Sequence, residues 1–427
     1  MTAAICVFAL LVILFVSLSA RVARADLTGP MIFLVAGGCL AGLSLFEPAV
    51  EGAAIRTLAE VTLVLVLFHD AAELQPRELR SDSAFTVRLL LVGLPLTIGA
   101  GYLAARALFP DIGVWLALLV AAALAPTDAG LGAATVLNPV VPARVRRILN
   151  VESGLNDGLA TPVVLFAIAT ASGSGHDTGS GEPDVMAAVL EILVGVLVGV
   201  SVGYLAGRLV ELARSRAWAE RTLLPLATLA VPVLCYYGAH GLGGNGFIAA
   251  FVAGTAYAAS QTSVADVHDT IGFTGLTSTF LAFGVWLVFG AVVASHLASL
   301  VTWQNLTYAV LSLTVLRMVP VGLSLLGSRL RPQTVVFVGW FGPRGLASII
   351  FALIAYESLD ADPVVTTVLG VIAITVMLSV VAHGLTASPW AQRYGSWARR
   401  TGPAVESAEA VEPLHRHGFV APPGNRG

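Results

Sequence analysis

Two short polar clusters interrupt sequence that is otherwise built from Ala, Leu, Val and Gly: Ala125-Pro126-Thr127-Asp128-Ala129-Gly130 and Glu152-Ser153-Gly154-Leu155-Asn156-Asp157. Further along stand a lone Arg317 and the run Phe341-Gly342-Pro343-Arg344-Gly345, again with apolar neighbours. Ionisable groups are costly in such surroundings and mark ion or proton pathways. Asp157 is the first candidate. A carboxylate inside an apolar layer can hold a proton or a metal cation, and protonation expels the cation, so one residue suffices for an exchange. Hard monovalent cations such as Na⁺ and Li⁺ prefer oxygen ligands. Asp157, Asp128, Thr127, Ser153 and the carbonyls freed by a broken backbone supply that donor set. Ser153 and Asp157 are four residues apart and share a helix face.

Glu152 lies on a neighbouring face and needs a counter-charge if it is ionised. Arg317 at matching depth is the candidate, and such a buried pair fixes geometry more than it adds net stability. Blander readings stand beside these. Thr127-Asp128 suits a helix cap at a membrane interface, the Glu152–Asp157 run suits a surface loop beside Arg144–Arg147, and Arg344 suits a snorkelling interfacial side chain. His69 and Asp70 read as a solvated helix end or as the lining of an ion funnel. Cys6, Cys39 and Cys235 lie in apolar runs without a CxxC spacing, which gives no disulfide or thiolate metal site. No cofactor is expected beyond the transported ions.

The elements that position these residues follow from composition. The chain has 427 residues, 57% hydrophobic and 11% charged, with mean hydropathy +0.86, which describes an all-α polytopic membrane protein. Its net charge of −3 and the lack of a long basic run exclude a nucleic-acid binder, and lipid is the expected surroundings. With about 20 apolar residues needed per span, the sequence divides into about thirteen helices. Arginines test that division, because basic residues concentrate in cytoplasmic loops. With the N-terminus outside, clusters around Arg21, Arg77, Arg144, Arg214, Arg329 and Arg393 all fall on the inner side, and only Arg56 and Arg106 fall outside. The C-terminus is then cytoplasmic, in a cell inner (plasma) membrane. Residues 1–390 form the transmembrane domain, and residues 391–427 read as a disordered cytoplasmic tail.

At about 1.5 Å per helical residue, Thr127-Asp128, Asp157, Arg317 and Arg344 all come near mid-membrane depth. The fifth span (113–138) and the twelfth (334–356) both carry helix breakers beside their polar residues: Pro126, Gly130 and Gly132 in one, Gly342, Pro343 and Gly345 in the other. Unwound backbone at that depth is tolerated where it lines a protein-enclosed cavity, and a pair of such breaks marks a transporter site. The two spans run in opposite directions, which fits an inverted repeat.

Thr127-Asp128 in a broken fifth span, Glu152-Ser153-x-x-Asn156-Asp157 in the sixth, Arg317 in the eleventh and Phe341-Gly342-Pro343-Arg344-Gly345 in the twelfth resemble the monovalent cation:proton antiporter-1 family of sodium/proton exchangers. The resemblance covers about residues 1 to 390. It implies a homodimer in which a core (about 87–172 and 306–386), with two crossed discontinuous helices, moves against a dimerisation scaffold (about 3–73 and 186–295). It implies that Asp157 binds the exchanged ions with help from Asp128, Thr127 and Ser153, and that Glu152 pairs with Arg317. Asn156 before the ion-binding Asp implies electroneutral one-for-one exchange of Na⁺, with Li⁺ or K⁺ as alternatives, for H⁺. The chain departs from the usual Thr-Asp-Pro at Ala129. A sodium-coupled symporter for an organic solute is the rival within transport, although the core spans show no surplus of polar residues for a solute. The sequence has no HExxH and no GxSG motif, which argues against an intramembrane enzyme.

Overall fold

The computed structural model describes residues 2–44, 53–74, 83–128, 130–132, 135, 138–173, 185–359 and 362–407. Among them the regular structure is helical: α1 (Thr2–Arg24), α2 (Gly29–Gly42), α3 (Ala53–Glu73), α4 (Ala84–Leu108), α5 (Val114–Ala123), α6 (Ala143–Ala171), α7 (Val185–Ser215), α8 (Leu224–Gly241), α9 (Gly246–Ser260), α10 (Val264–Leu300), α11 (Trp303–Ser324), α12 (Pro332–Trp340), α13 (Leu346–Ser358) and α14 (Pro363–Thr401). By length and apolar composition, seven of the described helices are able to cross a membrane unaided. The shorter ones include the pieces of interrupted spans.

Two interruptions have evident sequence causes. α5 ends at Ala123, just before Pro126, whose ring disfavours helical backbone at the residue ahead of it. α12 ends at Trp340, and the chain runs non-helically through Gly342-Pro343 before α13 begins at Leu346. A third, milder break falls at Thr314 (φ −115°, ψ −94°) inside α11, one turn before Arg317.

The helices pack as two groups. α7 packs on α8 and α9, α8 and α9 lie against α3, and α3, α8 and α2 lie against α10, while α4, α5 and α6 pack with α11 to α14. α3, α9 and α10 meet α6 and α13 where the groups join. Without a hydrophobic drive between helices in lipid, close packing needs small residues. Gly203 of α7 shows this: a Cβ there would lie within 2.6 Å of the Ala253 backbone on α9.

The C-terminal end differs from its sequence reading. α14 continues well beyond residue 390 to Thr401, and Gly402 (φ 53°) closes it in the left-handed conformation. Trp390, Tyr394 and Trp397 recur at helical spacing and pack on α12, with Tyr394 stacked on Phe337 at 4.1 Å and Trp390 5.7 Å from Phe341. That partner is invisible in a linear reading, so the segment looks like a polar tail. Residues 403–407 then dock. Val405 O accepts from Arg144 Nη1 at 2.6 Å, and the buried Glu406 carboxylate accepts from Arg331 N–H and Thr334 Oγ1, both at 2.8 Å. Glu406 thereby sits against the N-terminus of α12, where the positive end of the helix dipole favours a carboxylate. Residues 408–427 lie outside the described residues.

Glu406→Ala removes an anion from a buried helix N-terminus, leaves the Arg331 amide unsatisfied and leaves Thr334 Oγ1 with only its Tyr394 partner. It should lower unfolding stability by about 1–3 kcal/mol, read as a lower melting temperature by tryptophan fluorescence in detergent, whereas Ser407→Ala should leave the melt unchanged.

Candidate ion-binding site at the meeting of two broken helices

Each break leaves backbone groups with no partner in their own helix. After α5 the carbonyls of Ala123, Ala125, Pro126 and Thr127 all find side chains: Ser348 Oγ donates to Ala123 O (2.6 Å), Arg344 Nη1 to Ala125 O (3.0 Å) and Pro126 O (3.2 Å), and Ser153 Oγ to Thr127 O. Arg344 also reaches Ser312 O from Nη2 at 3.4 Å, beside the Thr314 break. It is 0% exposed, so it does not snorkel. Its guanidinium is a cation set against the negative end of a half-helix.

The other break is capped in return. Asp128 N–H donates to Pro343 O at 2.8 Å, and Asp128 Oδ2 accepts from the Leu346 amide at 2.9 Å, in the first turn of α13. Asp128 Oδ1 accepts from the amides of Gly130 (2.7 Å) and Leu131 (3.2 Å). Three backbone donors thus hold this carboxylate. The sequence reading set Asp128 among the cation's ligands, but its geometry here is that of a helix cap. Gly345 permits the approach, because a Cβ at that position would overlap Asp128 Oδ2. His383 and Ser379 of α14 complete the junction, with His383 Nε2 2.8 Å from Trp340 O at the end of α12 and Ser379 Oγ accepting from Arg344 N–H at 2.7 Å. His383 is buried within α14.

α6 brings the second cluster to the same place. Asn156 Nδ2 donates to Thr127 Oγ1 at 2.7 Å, and Ser153 holds the Thr127 carbonyl, so two consecutive turns of α6 are pinned to the first break. Thr127 O and Ser153 Oγ are therefore bonded to each other rather than both left open to a cation. Asp157 is 8% exposed, against 1% for Asn156. Gly158 follows, with the Phe251 ring of α9 where a Cβ would stand. Asp157 thus sits where α6 passes from contact with Thr127 to contact with α9. Thr161, one turn on, donates to the Asp157 carbonyl at 2.7 Å.

Glu152 faces the other way. Its Oε1 lies 2.6 Å from Arg317 Nη2, with both side chains almost fully buried. Gly342 gives the Arg317 side chain room, since a Cβ there would lie 2.6 Å from its Nε. His69 and Glu73 form a buried contact of 3.4 Å on α3 (Nε2 to Oε1). Ala129 lies outside the described residues. The sequence reading missed Ser348, and a serine in an apolar run carries no signal until the carbonyl it serves is known.

The chain has relatives among known proteins. Residues 7–393 match the family model for the transmembrane region of sodium/hydrogen exchangers. The chain belongs to the sodium/hydrogen exchanger family. It is 24% identical over 366 residues to a Na⁺/H⁺ antiporter of Schizosaccharomyces pombe, covering 77% of this chain and 75% of that one. It is likewise 24% identical over 418 residues to the K⁺/H⁺ antiporter NhaP of Alkalimonas amylolytica, covering 94% of this chain and 68% of that protein. It spans only 39% of the longer Na⁺/H⁺ antiporter 2 of Zygosaccharomyces rouxii. The fold resembles that of the sodium proton antiporter MjNhaP1 from Methanocaldococcus jannaschii, with TM-score 0.74 at 17% identity over 92% of this chain and 98% of that one. The chain is accordingly a multi-pass membrane antiporter of this family, and not an enzyme.

Removing one partner of the Glu152–Arg317 pair strands a buried charge. Glu152→Leu or Arg317→Met should each cost about 3–5 kcal/mol of stability. The double variant should recover most of that loss in a denaturation cycle; additive losses would show that the two residues act separately.

Proposed function

We propose that the protein exchanges one monovalent cation for one proton by alternating access, with both ions competing for Asp157. The observation that carries this reading is the charge count at the helix breaks. Two guanidiniums, Arg317 and Arg344, stand with three carboxylates, Asp128, Glu152 and Asp157, in buried surroundings. Asp128 is committed to the α13 amides and Glu152 to Arg317. One negative charge is left over when all five groups are ionised, and a single Na⁺ or H⁺ neutralises it. Either loaded form then carries no net charge through the apolar layer, whereas the empty form does, and moving an uncompensated charge is costly. That asymmetry couples the two ions and makes one-for-one exchange electroneutral.

Asp157 takes the transported ion because it is the carboxylate on the α6 turn that faces both the first break and α9. The Thr127 hydroxyl, which accepts from Asn156 and keeps its own proton to donate, orients that turn and helps to shape the site. Na⁺ is the leading cation. Li⁺ and K⁺ use the same oxygens, and the relatives include proteins named for sodium and for potassium exchange. The distribution of arginines supports an inner-membrane location with the N-terminus outside and the C-terminus cytoplasmic. The apolar side chains exposed along α7, such as Leu193, Leu197 and Leu205, are consistent with a lipid-facing or homodimeric surface.

In proteoliposomes holding a pH-sensitive dye, a Na⁺ pulse should drive proton movement that Asp157→Asn abolishes, and an imposed membrane potential should leave the wild-type initial rate unchanged. Full activity in Asp157→Asn would reject the assignment. A voltage-dependent rate would reject the charge count.

A further inference from the structure

We infer that a groove between α12 and the last turns of α14 binds an anionic phospholipid of the adjoining leaflet. The groove has a volume of about 480 Å³, and its walls carry Trp390, Arg393, Tyr394, Trp397 and Arg400 from one helix. These positions recur at helical spacing, so they form one stripe along α14. α12 supplies Phe337 and the exposed Val336 opposite.

Position argues for lipid. α14 has 39 residues, about 58 Å at 1.5 Å per residue, and so outruns a hydrocarbon layer of about 30 Å. Arg393 is its first arginine, and Trp390, Tyr394 and Trp397 surround it at the level where aromatic side chains gather at membrane interfaces. On the membrane topology proposed above, this is the cytoplasmic boundary. The groove thus combines an apolar wall for acyl chains with two guanidiniums for a phosphate, which is the composition of basic lipid-headgroup pockets between transmembrane helices.

Charge is complementary as well. Among the described residues no carboxylate lines the groove. Among the described residues, Arg393 and Arg400 are exposed and make no salt bridge. The nearby carboxylate, Glu406, is turned inward onto Arg331 and Thr334 and is 1% exposed. Thr334 Oγ1 also lies 2.9 Å from the Tyr394 hydroxyl, so the phenol is tied down on its inner side. A bound lipid would rest on elements that carry the α12 break on one side and the Ser379–His383 support of that break on the other.

The test uses delipidated full-length protein in detergent, titrated with phosphatidylglycerol or phosphatidylcholine and read by native mass spectrometry and thermal melting. Wild type should prefer phosphatidylglycerol by about tenfold or more and melt higher with it, and the preference should shrink as salt rises. Arg393→Gln/Arg400→Gln should bring the preference close to one while leaving the lipid-free melt unchanged. Arg216→Gln, at an exposed arginine of the α7–α8 connection, should keep it. Inorganic phosphate and glycerol 3-phosphate should neither bind nor stabilise at millimolar concentration. An unchanged preference in the double variant, an equal response to phosphatidylcholine in wild type, or stabilisation by free phosphate would each overturn the assignment.

Discussion

Backbone polar groups inside a membrane must be satisfied within the protein, and this chain breaks two helices where satisfaction is hardest. The breaks meet that demand by exchanging caps. Asp128, from the first break, accepts from the α13 amide end, while Arg344, from the second, donates to the carbonyls that α5 leaves open. Each charged side chain thus lies against the helix terminus of opposite polarity, a placement worth up to about 2 kcal/mol each in partly buried geometries. Neither cap functions without the other break in place. The glycines at 342 and 345 are a consequence, since side chains there would collide with Arg317 and Asp128.

With the backbone settled this way, the remaining buried charges acquire separate tasks. Arg317 and Glu152 tie α11 to α6, and the Thr314 break sets the register of that tie. Ser153 and Asn156 tie α6 to Thr127. The carbonyls that a broken helix might offer to a cation are mostly taken by serine and arginine side chains. On the function proposed above, the carboxylate chemistry of exchange falls to Asp157. Next to that residue α6 turns from its partners in the break toward Phe251 of α9.

Much of this was legible in the sequence, and for identifiable reasons. Proline and glycine beside buried charge announce a broken helix, so Pro126 and the Gly342–Gly345 run could be read directly. Equal depth allowed Glu152 and Arg317 to be matched across the chain. What could not be read was direction. Thr127-Asp128 carries the local marks of a cap and of a ligand alike, and the amide that Asp128 serves lies 218 residues away. The end of α14 failed for a similar reason, because its aromatic stripe has meaning only against Phe337 and Phe341. Ser348 and Ser379 gave no local signal, since hydroxyls in membrane helices usually bond to their own backbone.

On the function proposed above, Asp128 is spent on the helix junction and Asp157 holds the ion. Calorimetric Na⁺ titration of purified protein in buffers of different ionisation enthalpy tests it directly, because the proton released on cation binding is counted. At a pH low enough for the empty site to be protonated, Asp157→Asn should bind no Na⁺ and release no proton, while Asp128→Asn, wherever it remains folded, should still release about one proton per Na⁺ bound, as competition at one protonated carboxylate requires. Proton-linked Na⁺ binding retained in Asp157→Asn and lost in folded Asp128→Asn would contradict the account.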